Sequence, residues 1–183
     1  MSKAAILIAD GCEECEALIQ VDMLRRAGID IDMVSITGNR QVTSARDITF
    51  ICDRILSDFD ADAYDAVILP GGMPGTIHLK EDARVISLIK KFNSDKKLVA
   101  AICAAPTVLG YAGILKGRNA TCYPGMEDGL TGATKKTDPV VRDGNIITSR
   151  GLGTALAFAG AIIEYLTDAP TAQRVLDGVV YKN

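Results

Sequence analysis

Short apolar runs alternate along this chain with stretches of helical periodicity. "AAILIA" at 4–9, "AVILP" at 66–70 and "KLVAAIC" at 97–103 are almost wholly apolar. Runs of this length, with turn signals such as Asp10-Gly11 and "GGMPG" after them, predict strands buried on both faces of a parallel sheet. "IDIDMVSI" at 29–36 begins with strand-like alternation, and "IITSR" at 146–150 predicts the last core strand. Between these lie helices. "EECEALIQVDMLRRAG" puts Ala17, Val21 and Leu24 on one face, with glutamates in the first turn, arginines in the last, and Gly28 suited to end the helix. Residues 76–92 predict one amphipathic helix with Ile77, Val85, Leu88 and Ile89 inward. "APTVLGYAGIL" predicts a helix closed by Gly117, and 152–166 an apolar helix. Residues 41–56 suggest short strands or a hairpin near an edge. A short strand near 119–123 and a hairpin at 135–148 follow, and helical and extended pieces finish the chain.

The strand–helix rhythm predicts an α/β sandwich with a largely parallel sheet, whose chemistry gathers beyond the carboxyl ends of the strands. The segments to inspect are therefore Asp10–Glu16, Gly71–Gly75, Cys103–Ala105, Tyr123 and Ser149–Gly153. The length of 183 residues suits one domain, 1–183, with a sizeable core. A formal net charge of −3 supplies no basic excess for nucleic acid or an anionic membrane. No apolar run approaches the roughly 20 residues of a bilayer span, and the N-terminal run is too short for a signal peptide, so a cytoplasmic protein is expected. Cysteines at 12, 15, 52, 103 and 122 are odd in number and irregular in spacing, which argues for reduced thiols.

Cys103 stands between an apolar run and a helical one, with Ala101, Ala104 and Ala105 giving room for a sharp turn. That is the setting of a nucleophile elbow, and a helix N-terminus there would favour a thiolate. The competing explanation is a buried structural cysteine at a strand end. "GGMPG" at 71–75 could lend backbone N–H groups to an oxyanion hole with that of Ala104, or could be a plain tight turn. Of the glutamates at the first strand–helix junction, Glu13 fits a role as dipole complement. Glu14 or Glu16 could turn toward the sheet, where burial would raise its pKa and suit it to acid–base work. Cys12 and Cys15 have C-x-x-C spacing, but neither a second such pair nor a histidine pair completes a zinc site, so no metal is expected. His78, the single histidine, reads as a solvated helix-end residue. "GLGTALAFAG" has Leu156 where a dinucleotide motif needs its third glycine.

"ILIADGCEECEA", "VDMLRRAGI", "SARDI", "VILPGGMPG", "AAICAAPTVL" and "TSRGLGTALAFA" together resemble the ThiJ/PfpI superfamily, nearest the branch of the Parkinsonism-associated deglycase and its bacterial relatives. The resemblance implies a flavodoxin-like three-layer sandwich, akin to class I glutamine amidotransferases, and a homodimer. It places the nucleophile on Cys103 and the paired, protonated acid on Glu16. It matches Gly72 and Ala104 to backbone donors beside the thiol, and Arg26 and Arg46 to anion-binding arginines near the dimer interface. It implies a cofactor-independent glyoxalase or deglycase acting on 2-oxoaldehydes or glycated protein. The alternative is a non-enzymatic oxidative-stress sensor or chaperone using an oxidisable Cys103. Ala104 stands where the protease-like branch has histidine, which weakens a peptidase reading, and a role in thiamine biosynthesis has no supporting site. Tyr123 stands where close relatives often have histidine; it could hydrogen-bond a substrate carbonyl but is a poor base at neutral pH.

Overall fold

In the computed structural model, residues 2–182 are described. Among them a seven-stranded sheet is built from β1 (Lys3–Ile8), β2 (Asp30–Ser35), β5 (Arg54–Ile55), β6 (Ala66–Leu69), β7 (Leu98–Ile102), β10 (Val140–Asp143) and β11 (Ile146–Ser149). The spatial order is β10-β11-β7-β6-β1-β2-β5, and every neighbouring pair is parallel except β10 with β11. The fully apolar runs became β1, β6 and β7, at the centre, because helices cover both of their faces.

Side chains alternate across the sheet, so β1 sends Ala4, Ile6 and Ile8 one way and Ala5, Leu7 and Ala9 at its end the other. The first set packs under α1 (Glu14–Arg26), α5 (Ala155–Leu166) and α6 (Ala169–Gly178). The second packs under α2 (Gly75–Glu81), α3 (Ala83–Ser94) and α4 (Pro106–Tyr111). This is the expected three-layer α/β sandwich. From β1 the chain moves outward to β2 and β5, then returns to β6 on the other side of β1 and proceeds to β7 and β11. The reversal between β1 and β6 opens the crevice where α/β sheets bind their ligands.

Several expected elements differ. The helix over 76–92 is two helices: Asp82 is extended and its carboxylate accepts from the Arg84 N–H at 2.9 Å, so it caps α3 where continuous periodicity pointed to one helix. The break frees α2 from the α3 face, and Ile77, expected inward, is 41% exposed while Leu79 is buried. The hairpin expected at 135–148 is confined to β10 and β11; β9 (Thr134–Lys135) instead pairs in parallel with β8 (Asn119–Ala120), outside the main sheet. The hairpin near the edge is β3 (Gln41–Thr43) with β4 (Thr49–Ile51). Gly28 ends α1 with φ +78°, the left-handed geometry expected of it. Among the described residues, no helix is long and apolar enough to cross a membrane.

Candidate active site

Four adjacent strands, β11, β7, β6 and β1, deliver the site from their carboxyl ends. Cys103 follows β7 directly and has φ +64°, a left-handed conformation that costs a non-glycine residue about 1–2 kcal/mol. The turn is held from both sides: its N–H donates to the Ser149 carbonyl at 3.0 Å, and its carbonyl accepts the Tyr123 N–H at 2.7 Å. Strain imposed by the surrounding structure is characteristic of functional elbows. The side chain is half-buried and lines a cavity of about 420 Å³ together with Glu13, Glu16, Arg46, Gly72 and Tyr123.

Glu16 comes from the first turn of α1 and is 1% exposed. Its Oε2 accepts the Gly71 N–H at 3.0 Å, and its carboxyl lies beside the Cys103 thiol across Gly71. Burial, helped by the nearby Glu13 charge, raises the carboxyl to about 7, against the opposing hydrogen bonds from Cys103, Gly71 and Leu152. Gly71 fits between the two groups for want of a side chain: a Cβ there would lie 2.6 Å from the Cys103 Cβ and 2.7 Å from Glu16 Oε2. The N–H groups of Gly72 and Ala104 face the sulfur and favour its charged form.

The free thiolate expected from a helix N-terminus needs correction. Burial and the Glu16 carboxylate push the Cys103 thiol up to about 12, outweighing those two N–H groups, and α4 behind it is short. Between the neighbouring thiol and carboxyl one proton has two places to sit. In one arrangement the thiol faces a carboxylate; in the other a thiolate faces a carboxylic acid.

Arg46 and Tyr123 line the same cavity, Tyr123 half-exposed at its rim. Arg26 does not join them. It sits in the last turn of α1, about 15 Å along the helix axis from Glu16 at the usual rise, and pairs with Asp22 at 2.7 Å. The C-x-x-C residues diverge, Cys12 buried and Cys15 exposed. His78 is exposed on α2, its Nδ1 2.9 Å from the Asp10 carbonyl. The cavity also has an apolar rim of Met73, Met126 and Leu152. Met73 and Leu152 lie in the flagged segments 71–75 and 149–153, whereas no motif marked Met126.

A strained cysteine turn beside a buried acid, at the carboxyl ends of a mainly parallel sheet, defines a class of cysteine-centred α/β proteins. The chain belongs to the DJ-1/PfpI family, whose model matches residues 2–165. It is 42% identical to Protein dj-1beta of Drosophila melanogaster over 183 residues, covering 98% of both chains. It is 38% identical to the Parkinson disease protein 7 homolog of Danio rerio, covering 99% of this chain and 98% of that one. To a deglycase of Thermococcus kodakarensis it is 33% identical, covering 90% of this chain and 99% of that one. The crystal structure of Drosophila melanogaster DJ-1beta superposes with a TM-score of 0.94 at 39% identity, covering both chains completely.

Proposed function

We propose that the chain is a cofactor-independent glyoxalase or deglycase acting on 2-oxoaldehydes such as methylglyoxal, or on early glycation adducts. The observation that carries this reading is the Cys103–Glu16 pair, with the Gly72 and Ala104 N–H groups directed at the reacting sulfur. The deglycase relative supports the same chemistry.

Glu16 takes the thiol proton as the sulfur attacks the aldehyde carbon. A C–S bond forms, and the carbonyl π electrons move to oxygen. The Gly72 and Ala104 N–H groups stabilise that oxyanion until Glu16 returns the proton to it. Glu16 then removes the proton from the former aldehyde carbon, giving an enediolate; the hydroxyl proton passes to the neighbouring oxygen, and Glu16 delivers its proton to the neighbouring carbon. The product is a 2-hydroxyacyl thioester on Cys103. Water attacks its carbonyl, the C–S bond breaks, and the 2-hydroxy acid leaves as the thiol is restored. Methylglyoxal plus water becomes lactate, so no external oxidant or reductant is consumed. A carboxyl near 7 can give and take protons at neutral pH, which a tyrosine at position 123 does poorly. Tyr123 instead hydrogen-bonds the substrate carbonyl, and Arg46 attracts the carboxylate of the 2-hydroxy acid product.

A second copy of the chain would cover Leu18 on α1 and Ile48 and Ile51 on the β3–β4 segment, apolar side chains left exposed in one chain. In that homodimer Arg26 would serve at the interface. A cytoplasmic location fits the reduced thiols. The competing reading, an oxidation sensor or chaperone, draws on the same half-buried sulfur and on a structural relative, Toxoplasma gondii DJ-1, solved in an oxidised form. Lactate measured after incubation with methylglyoxal separates the two. Turnover by the wild type that is lost in Cys103→Ser supports the enzyme; no wild-type turnover, or unchanged turnover in Cys103→Ser, rejects it.

A further inference from the structure

The stretch Glu13-Glu14-Cys15-Glu16 has the spacing of a capping box, with Glu13 as N-cap of α1 and Glu16 at the third helical position. Two features depart from that motif. The cap is a glutamate, outside the favoured Ser, Thr, Asp and Asn. The reciprocal bond, from the third-position side chain back to the cap N–H, is not made. The Glu13 N–H instead donates to the Gly71 carbonyl at 2.8 Å, and Glu16 Oε2 accepts from the Gly71 N–H. One residue of the glycine loop, Gly71, is thus gripped at its carbonyl by Glu13 and at its N–H by Glu16, and the Glu16 carboxyl is left to face Cys103. The Glu13 side chain still accepts the Glu16 N–H, at 2.5 Å. The same carboxylate lines the cavity.

We propose that Glu13 is a positioning residue: its carboxylate fixes the turn that carries Glu16 and sets a negative charge beside it, so that Glu16 keeps the proton shared with Cys103. A neutral cap would fix the turn equally well. The charge is the functional part, since it opposes ionisation of Glu16 in addition to burial. The other groups sharing the cavity are Cys103 from the turn after β7, Arg46 from the loop between β3 and β4, and Tyr123 after β8. The role of Glu13 in turnover rests on the proposed 2-oxoaldehyde chemistry, but its effect on the proton does not.

The test follows the Glu16 carboxyl carbon by NMR across pH, in protein labelled at glutamate carboxyls. Iodoacetamide alkylation of Cys103 is measured in parallel. Neither readout requires turnover, so a protein inactive on methylglyoxal leaves the inference standing, and a fully active one can still overturn it. In Glu13→Gln, which keeps the acceptor oxygen but not the charge, the Glu16 midpoint drops by about 0.5–1 pH unit. The thiolate–acid form becomes scarcer, and neutral-pH alkylation slows by about three- to tenfold. Glu13→Asp, which keeps the charge, retains the wild-type midpoint. Glu13→Ser, a favoured neutral cap, reproduces the glutamine shift and serves should Glu13→Gln fail to fold. An unmoved midpoint in the neutral variants, or an equal shift in Glu13→Asp, overturns the proposal.

Discussion

Glu16 is a buried acid, and burial makes its charge the expensive form. Its folded pKa of about 7 lies above the unfolded value, so the protonated form stabilises the fold below the unfolded pKa; that stability is lost as pH rises toward and through 7. Glu16→Gln removes the titration. Its melting temperature should exceed that of the wild type at pH 8, by an amount equivalent to about 1–3 kcal/mol, with the gap closing near pH 5. A wild type whose stability does not fall between these pH values contradicts the buried, paired assignment. Tyr123 stands at the cavity rim, where a hydroxyl can contribute one hydrogen bond. Tyr123→Phe should lower kcat/KM for methylglyoxal by about three- to tenfold, the worth of one such bond, and leave the fold intact. Sequence reading found Cys103 because a cysteine between an apolar strand and a run of small residues is a local signal. It left Glu14 and Glu16 open from the residues alone, because helix rotation about its axis depends on what the helix packs against. Glu13 passed as a plain dipole complement because its partner, the Gly71 peptide, comes from a distant strand.

At the scale of elements, the glycine loop after β6 is the joint that holds α1 to the elbow. Gly72 has φ +92°, and a Cβ there would lie 2.2 Å from the Glu13 nitrogen. Gly72→Ala should therefore destabilise the protein by about 1–3 kcal/mol in urea denaturation and slow Cys103 alkylation as well. Wild-type stability with wild-type alkylation in this variant would show that the joint is not tight. The central strands were legible because residues buried on both faces leave continuous apolar runs. The break at Asp82 was less so: apolar spacing carries across it, and the aspartate that caps α3 reads as one more polar residue on a helix surface. The β8–β9 pairing was hidden for another reason. Two residues on each strand carry too little pattern to reveal a partner in parallel register.

For the whole molecule, the order of strands assembles the site, since neighbours in the sheet are far apart in the chain. β11, β7, β6 and β1 bring together segments that no local motif links. Their meeting followed from the α/β rhythm and the family resemblance, not from spacing. The same scale governs assembly. If a second copy covers the exposed face with Leu18, Ile48 and Ile51, sedimentation should report twice the mass of one chain, and Ile51→Glu should release the monomer. A wild type that sediments as a single chain contradicts that arrangement. The central claim is that Cys103 and Glu16 act on a 2-oxoaldehyde as one unit. The direct measurement is kcat/KM for lactate formation from methylglyoxal in wild type, Cys103→Ser, Glu16→Gln and the double variant. Glu16→Gln should lose about 10²–10⁴-fold, Cys103→Ser at least as much, and the double variant little more than Cys103→Ser alone. Additive losses, or lactate formation that survives Cys103→Ser, would contradict it.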